Sequence, residues 1–177
     1  MNRDLDRIVE AMTARYFGKY RGEVTDTADP AKRGRIKVRV PAVMGDKELW
    51  AMPCMPYAGD ALGLFALPPA GTSVWCEFEG GELNQPIWSG CFWKDREIDA
   101  ADAKEAVFLL KTPGLTLRVD NDTGEVVIES SSGAKITLSQ DGIALEASKI
   151  DLSANGGAAS LSATGFDAMN GALTVGP

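Results

Sequence analysis

No histidine occurs among the 177 residues. That absence removes the Ser-His-Asp triad, the Cys-His dyad and the usual zinc ligand sets. Cysteine is scarce: Cys54, Cys76 and Cys91, no two in C-x-x-C spacing. An odd count points to free thiols rather than a disulfide framework. Cys76 alternates with Val74 and Phe78, which makes it a small core residue before it is a reactive one. There is no apolar run of about 18 residues, so no helix long enough to span a membrane. Basic charge is short, with 18 Lys and Arg against 25 Asp and Glu and a net charge of −7, which speaks against a general nucleic-acid binder. The opening Met1-Asn2-Arg3-Asp4 lacks the apolar stretch of a secretory leader, so synthesis in the cytoplasm without a signal peptide is expected. Nothing in the composition calls for a metal or cofactor.

What is present is concentrated in the last third. Leu115, Leu117 and Val119 alternate with polar residues, as do Val126 and Ile128, then Ile136 and Leu138. Ile143 with Leu145 follows after seven residues, and Ile150 with Leu152 after seven more. Leu161, Phe166, Leu173 and Val175 come later. Period-2 alternation means strands with one buried face. A seven-residue spacing leaves about five residues for a strand and two for a corner. Asn121-Asp122-Thr123-Gly124, Ser132-Gly133, Asp141-Gly142 and Asn155-Gly156-Gly157 supply the turn chemistry. The pattern predicts strands that stack on copies of themselves, a narrow β-helix or β-prism built from several chains. An antiparallel meander, half of a sandwich, is the competing arrangement. It needs a second sheet, and no other part of the sequence looks free to provide one.

Ahead of this stretch, Leu5, Ile8, Val9, Met12 and Tyr16 recur at helical spacing and predict an amphipathic helix over residues 2–17, stopped at Gly18. The pattern then turns to β. Strands are expected over Tyr20–Thr27, Ile36–Val40 up to Pro41, Glu48–Met52, Leu62–Leu67, Val74–Phe78 and Ile87–Trp93. So many short strands in so few residues predict a small closed barrel of the OB type. The tryptophans and other aromatics here could each bury ~150–250 Å2, enough to hold a barrel this small together. The segment from Lys94 to Ala106, rich in Asp, Glu, Lys and Ala, reads as a linker.

The order and spacing of the residues then carry a resemblance. Tyr20-x-Gly22-x-Val24, Asp29-Pro30, Gly34-Arg35-Ile36-x-Val38-x-Val40-Pro41, Trp50-Ala51, Leu67-Pro68, Phe78-Glu79-Gly80-Gly81 and Gln85-Pro86-Ile87-Trp88-x-Gly90 resemble the baseplate assembly protein V and type VI spike (VgrG) family of contractile injection systems. Lys111-Thr112-Pro113-Gly114-Leu115-x-Leu117-x-Val119-Asp120 is similar to the lead-in to that family's trimeric β-helix. The resemblance implies an all-β chain in four parts: an N-terminal helix over residues 1–18, an OB barrel over 19–93, a linker over 94–110 and an intertwined needle over 111–177, roughly 40 Å long at ~4.8 Å per strand. It also implies a non-enzymatic, homotrimeric central spike of a phage tail, tailocin or injection particle, joining a hub or baseplate protein at the barrel to a membrane-piercing tip.

The needle core implied is Leu117, Val119, Ile128, Ile136, Leu138, Ile143, Leu145, Ile150 and Leu152. Small residues dominate after Leu152, where Asp167 is the only charge. The sequence stops at Gly176-Pro177, with no cap of its own for the last strand. A platform of Phe166, Leu173, Val175, Gly176 and Pro177 is expected to take a small PAAR-type tip protein. Contact with the target membrane would be transient, and no nucleic acid is expected. The lysozyme domain that some members insert has no room at 94–106. The histidine-bound iron apex of others has no ligands here. No second hub domain precedes the barrel, which implies a separate hub protein.

Two rival functions stay open from sequence. The basic run Lys32, Arg33, Arg35, Lys37 and Arg39 suits an OB barrel that binds single-stranded nucleic acid, unless it is only a solvated strand. Glu77, Glu79 and Glu82 offer a carboxylate pair for a peptidoglycan-degrading tail enzyme, unless they are only surface charges.

Overall fold

The structure, a computed structural model, describes residue 9, residues 15–169 and residues 171–176. Most of the expected N-terminal helix lies outside them. Val9 is helical, but residues 15–17 are not. The amide of Tyr16 instead donates to Gly81 O at 2.9 Å, and Arg15 Nη1 to Gly80 O at 2.9 Å. The described chain forms two compact units, residues 1–97 and 98–177.

The first unit is a closed barrel. Its strands are β1 (Tyr20–Asp26), β2 (Ile36–Arg39), β3 (Glu48–Pro53), β6 (Ser73–Phe78) and β7 (Pro86–Cys91), in the order β1-β2-β3-β7-β6. Between β3 and β6 lies a small hairpin, β4 (Ala58–Gly59) and β5 (Leu62–Gly63). All barrel pairs are antiparallel except β3 with β7, which closes the barrel through Met52↔Ile87 and Pro53↔Trp88. Alternation selects the interior: Ile36 and Val38 are fully buried, and Lys37 and Arg39 point outward. Val24, Val40, Ala51, Val74 and Cys76 complete an aliphatic core closed by Phe78 and Trp88. Each buried Val or Ile contributes about 1.5–3 kcal/mol.

Two motif positions have steric reasons. A Cβ on Gly22 would sit 2.9 Å from Cys76 Sγ and 3.2 Å from Arg39 O, so only glycine lets β1 cross its neighbours here. Tyr20 packs edge-on against Phe78, with ring centroids 5.6 Å apart. Burial pushes the Cys76 thiol up to about 12, which makes it the inert core residue its alternation indicates.

Two expectations for the barrel need correction. The strand expected over Leu62–Leu67 is only the two-residue β5 followed by irregular chain to Pro69, because Gly63 at φ +143 and the two prolines break an extended run. β2 stops short of Pro41 as expected, and Pro41 then starts a four-residue helix, α1 (Pro41–Met44). The tryptophans do not fill the barrel: of the four only Trp88 lies in the core, while Trp93 is 70% exposed. The interior of a five-stranded barrel is too narrow for several indoles, so aliphatics fill it.

The second unit holds two antiparallel sheets. The first, in the order β12-β11-β10-β9-β8, comprises β8 (Val107–Lys111), β9 (Leu115–Asp120), β10 (Glu125–Ser130), β11 (Lys135–Ser139) and β12 (Gly142–Glu146). The second comprises β13 (Lys149–Ala154), β14 (Gly157–Ser162), β15 (Gly165–Ala168) and β16 (Leu173–Val175), in that order. Within one chain the strands therefore form meanders of hairpins, not successive coils of a helix. Tight turns decide this. At β9–β10, Asp120 Oδ1 accepts from the amides of Asp122 and Thr123, and Gly124 takes φ +72. The Thr123 amide and the Arg118 guanidinium hold the Asp120 carboxyl below its usual range. β8 overlaps the end of the span 94–110 expected to be linker; Phe108↔Val119 and Leu110↔Leu117 show why, since its alternation continues that of β9.

Candidate interaction surfaces

Register aligns the apolar residues of the first sheet into two cross-strand rows. One runs Phe108, Val119, Val126, Leu138, Ile143; the other runs Leu110, Leu117, Ile128, Ile136, Leu145. Both lie on the same face, because every pairing keeps the period-2 phase. The opposite face carries Lys111, Arg118, Glu129, Thr137, Lys135 and Glu146, with Lys135 3.9 Å from Glu146 across the strands. The second sheet repeats the plan. Ile150, Leu161, Phe166 and Val175 form one row, and Leu152, Ala159, Ala168 and Leu173 the next. Asp151, Ser160, Asp167 and Thr174 stand on its other face.

No residue of the second unit is buried among those described. Ile143 is 73% exposed, Leu152 62% and Leu173 56%. Isolated exposed aliphatics are ordinary, but contiguous rows on two sheets mark an interaction surface. Of the residues expected in a needle core, Leu117 to Leu145 share the face of the first sheet, and Ile150 and Leu152 that of the second. Phe108 and Leu110, beside the acidic stretch, share that face as well, as their alternation indicates. Of the expected tip platform, Phe166, Leu173 and Val175 share the second face, Gly176 follows β16, and Pro177 lies outside the described residues.

The basic run on the barrel is largely committed. Asp29, its side chain 4% exposed, accepts from the amides of Ala31, Arg33 and Arg35 and from the Arg35 guanidinium at 2.7 Å. That guanidinium, with the amides behind it, holds the Asp29 carboxyl well below the usual carboxylate range. Arg35 and Lys37 both lie over the Trp50 ring, at 5.6 and 5.5 Å. Arg39 pairs with Glu23 at 3.3 Å. The strip thus closes the 26–35 loop onto β2 and β3. Asp29→Asn is expected to lower the melting temperature at neutral pH. A depressed folded pKa gives stability that is present above the unfolded value, about 3.9, and lost as pH falls through the folded value. The gap between wild type and variant should therefore narrow below about pH 4, measurable by melts across pH.

The carboxylates of the rival enzyme reading are spread over separate contacts. Glu77 pairs with Lys19 at 2.9 Å, and Glu82 with Arg15 at 3.6 Å. The described residues contain no cluster of His, Cys, Asp or Glu fit to hold a metal.

A closed five-stranded barrel with this strand order, one parallel pair closing it, defines an OB-type domain. The comparison with known families is specific: the type VI secretion system/phage-baseplate injector OB domain matches residues 20–93. The match runs from the first strand of the barrel to just past the last. The barrel is therefore similar to an injector OB domain over its whole length. No curated protein matches the chain.

Proposed function

We propose that this protein is the homotrimeric central spike of a contractile injection system, assembled into a phage tail-like particle. The observation that carries it is the pair of open apolar faces in the second unit, in a chain whose first unit matches the injector OB domain. Three amphipathic sheets placed edge to edge form a triangular prism with the apolar rows inside. The polar faces then meet water, and backbone ladders at ~4.8 Å per strand give stiffness along the axis. The fold of each prism wall is inseparable from the presence of the others.

In this reading a hub or baseplate protein takes the barrel. A small PAAR-type tip takes the far end of the second sheet, where β16 is an edge strand with Leu173 and Val175 exposed. The nucleic-acid reading is weaker, since Arg35, Lys37 and Arg39 of the basic run are engaged by Asp29, Trp50 and Glu23. Light scattering should report three copies per particle at micromolar concentration, and a folded monomer would end the proposal. Co-expression with small neighbouring gene products should yield a captured tip. Deleting residues 173–177 should abolish capture and leave the trimer; capture that survives the deletion rules out the platform.

A further inference from the structure

The barrel carries an apolar surface that its own core does not use. The irregular chain between β3 and β6 exposes Tyr57, Leu62, Leu64 and Phe65. Phe65, at 77%, is the most exposed large hydrophobic side chain among the described residues. A groove of about 460 Å3 runs along this segment, lined also by Met55 and Leu67. A second cavity of about 410 Å3 adjoins it, and Phe65, Leu67, Gly34 and Lys32 border both. The Phe65 ring lies over Gly34, where a Cβ would come within 3.5 Å of Phe65 Cε2.

Both banks of the groove are fixed. On one, β4 pairs with β5, and the Leu64 amide donates to Tyr57 O at 2.9 Å. Gly63, at φ +143, lies so close to that turn that a Cβ would sit 2.8 Å from Tyr57 O. On the other, Asp29 accepts from the amides of Ala31, Arg33 and Arg35, which sets the backbone that carries Lys32 and Arg33. A surface ordered in advance loses little freedom when something binds to it. Contiguous exposed apolar side chains beside such a groove mark an interaction site.

Charge indicates what the site takes. In the basic run, Arg35 is held by Asp29, Lys37 by Trp50 and Arg39 by Glu23. Lys32 and Arg33 are exposed, line the groove, and have no side-chain ion pair among the described residues. The only carboxylate lining either cavity is Asp29, whose charge Arg35 answers. Two open cations therefore rim an apolar groove in a chain of net charge −7. Two copies meeting symmetrically through this patch would bring four cations together. Single-stranded nucleic acid needs a basic track with aromatic platforms. Here Leu62, Leu64, Leu67 and Met55 make an aliphatic wall, which fits side chains rather than bases.

We propose that this groove docks a segment of another protein in which apolar side chains stand next to carboxylates. The apolar groups enter beside Leu64 and Phe65, and the carboxylates reach Lys32 and Arg33. The site lies wholly within the first unit, so it stands or falls independently of the trimer.

The test is fluorescence polarisation on the full chain. The probe is a fluorescein-labelled peptide of leucine, phenylalanine and glutamate. One control peptide carries lysine for glutamate, and another carries alanine for the apolar residues. Only the first should bind saturably, and added salt should weaken it. Phe65→Ser should weaken binding at least about tenfold. Lys32→Glu with Arg33→Glu should abolish the preference for glutamate over lysine. All three side chains are exposed, so an unchanged melting temperature should accompany each loss. Absence of binding up to about 1 mM probe overturns the proposal. So does equal binding of the lysine peptide, indifference to Phe65→Ser, or tighter binding of a labelled oligothymidylate. Light scattering covers the remaining occupants. Fewer copies per particle for Phe65→Ser than for wild type would show that a second copy fills the groove. Binding that appears only after deletion of residues 1–14 would show that the chain's own leading segment does. Either result overturns docking of another protein.

Discussion

Ile143→Asp should break the assembly, while Ala144→Asp, one residue along the same strand, should leave it intact. In the isolated chain both positions are exposed, Ile143 at 73%. If the chain worked alone, both substitutions would fall within about 0.5 kcal/mol of neutral. The register sets them on opposite faces of β12, Ile143 in the apolar row beside Leu138 and Ala144 beside Thr137. In a prism, Ile143→Asp brings three carboxylates around one axis with no cation to pair them. Burying an unpaired charge costs several kcal/mol for each copy, so the charges either protonate or force the chains apart. Light scattering at micromolar concentration should find three copies for wild type and Ala144→Asp, and dissociated or aggregated material for Ile143→Asp. Equal behaviour of the two variants would mean that the apolar face has no partner.

In the barrel, Ile36→Ala should lower stability by about 2–5 kcal/mol without changing the copy number. Ile36 is fully buried, lies opposite Ala51 across β2 and β3, and belongs to a core with few large side chains. Little around it can collapse into the space, since Gly22 and the closed ladder fix the neighbouring strands. Chemical denaturation followed by tryptophan fluorescence reads the barrel, because all four tryptophans lie in the first unit. The second unit has its own contacts and its own apolar faces, so the oligomer should persist while the barrel weakens. Loss of the trimer at the first barrel transition would instead place the assembly strength in the barrel.

Much of this was legible in the sequence. Period-2 alternation placed the barrel strands Tyr20–Asp26, Ile36–Arg39 and Ser73–Phe78 within a residue or two. It also put Leu117, Ile136 and Ile143 on a common face. The ordered motif from Tyr20 to Gly90 was enough to show the resemblance to the injector OB domain. Alternation has this power because the side-chain period of a strand is fixed at two, so the sequence states directly which residues share a face.

What the sequence did not state is which strand pairs with which. Ladder hydrogen bonds join backbone groups that every residue carries, so a short strand such as Gly142–Glu146 is equally ready to pair with the strand before it, the strand after it or another chain. Only the tertiary structure showed that β8 to β12 form a hairpin meander, that Val107–Lys111 joins it, and that the ladder breaks at Ala147–Ser148. The tryptophans were decided there too. Composition brings indoles into the barrel region, but the width of a five-stranded ring admits Trp88 and leaves Trp50 and Trp75 on the outside beneath arginine and lysine.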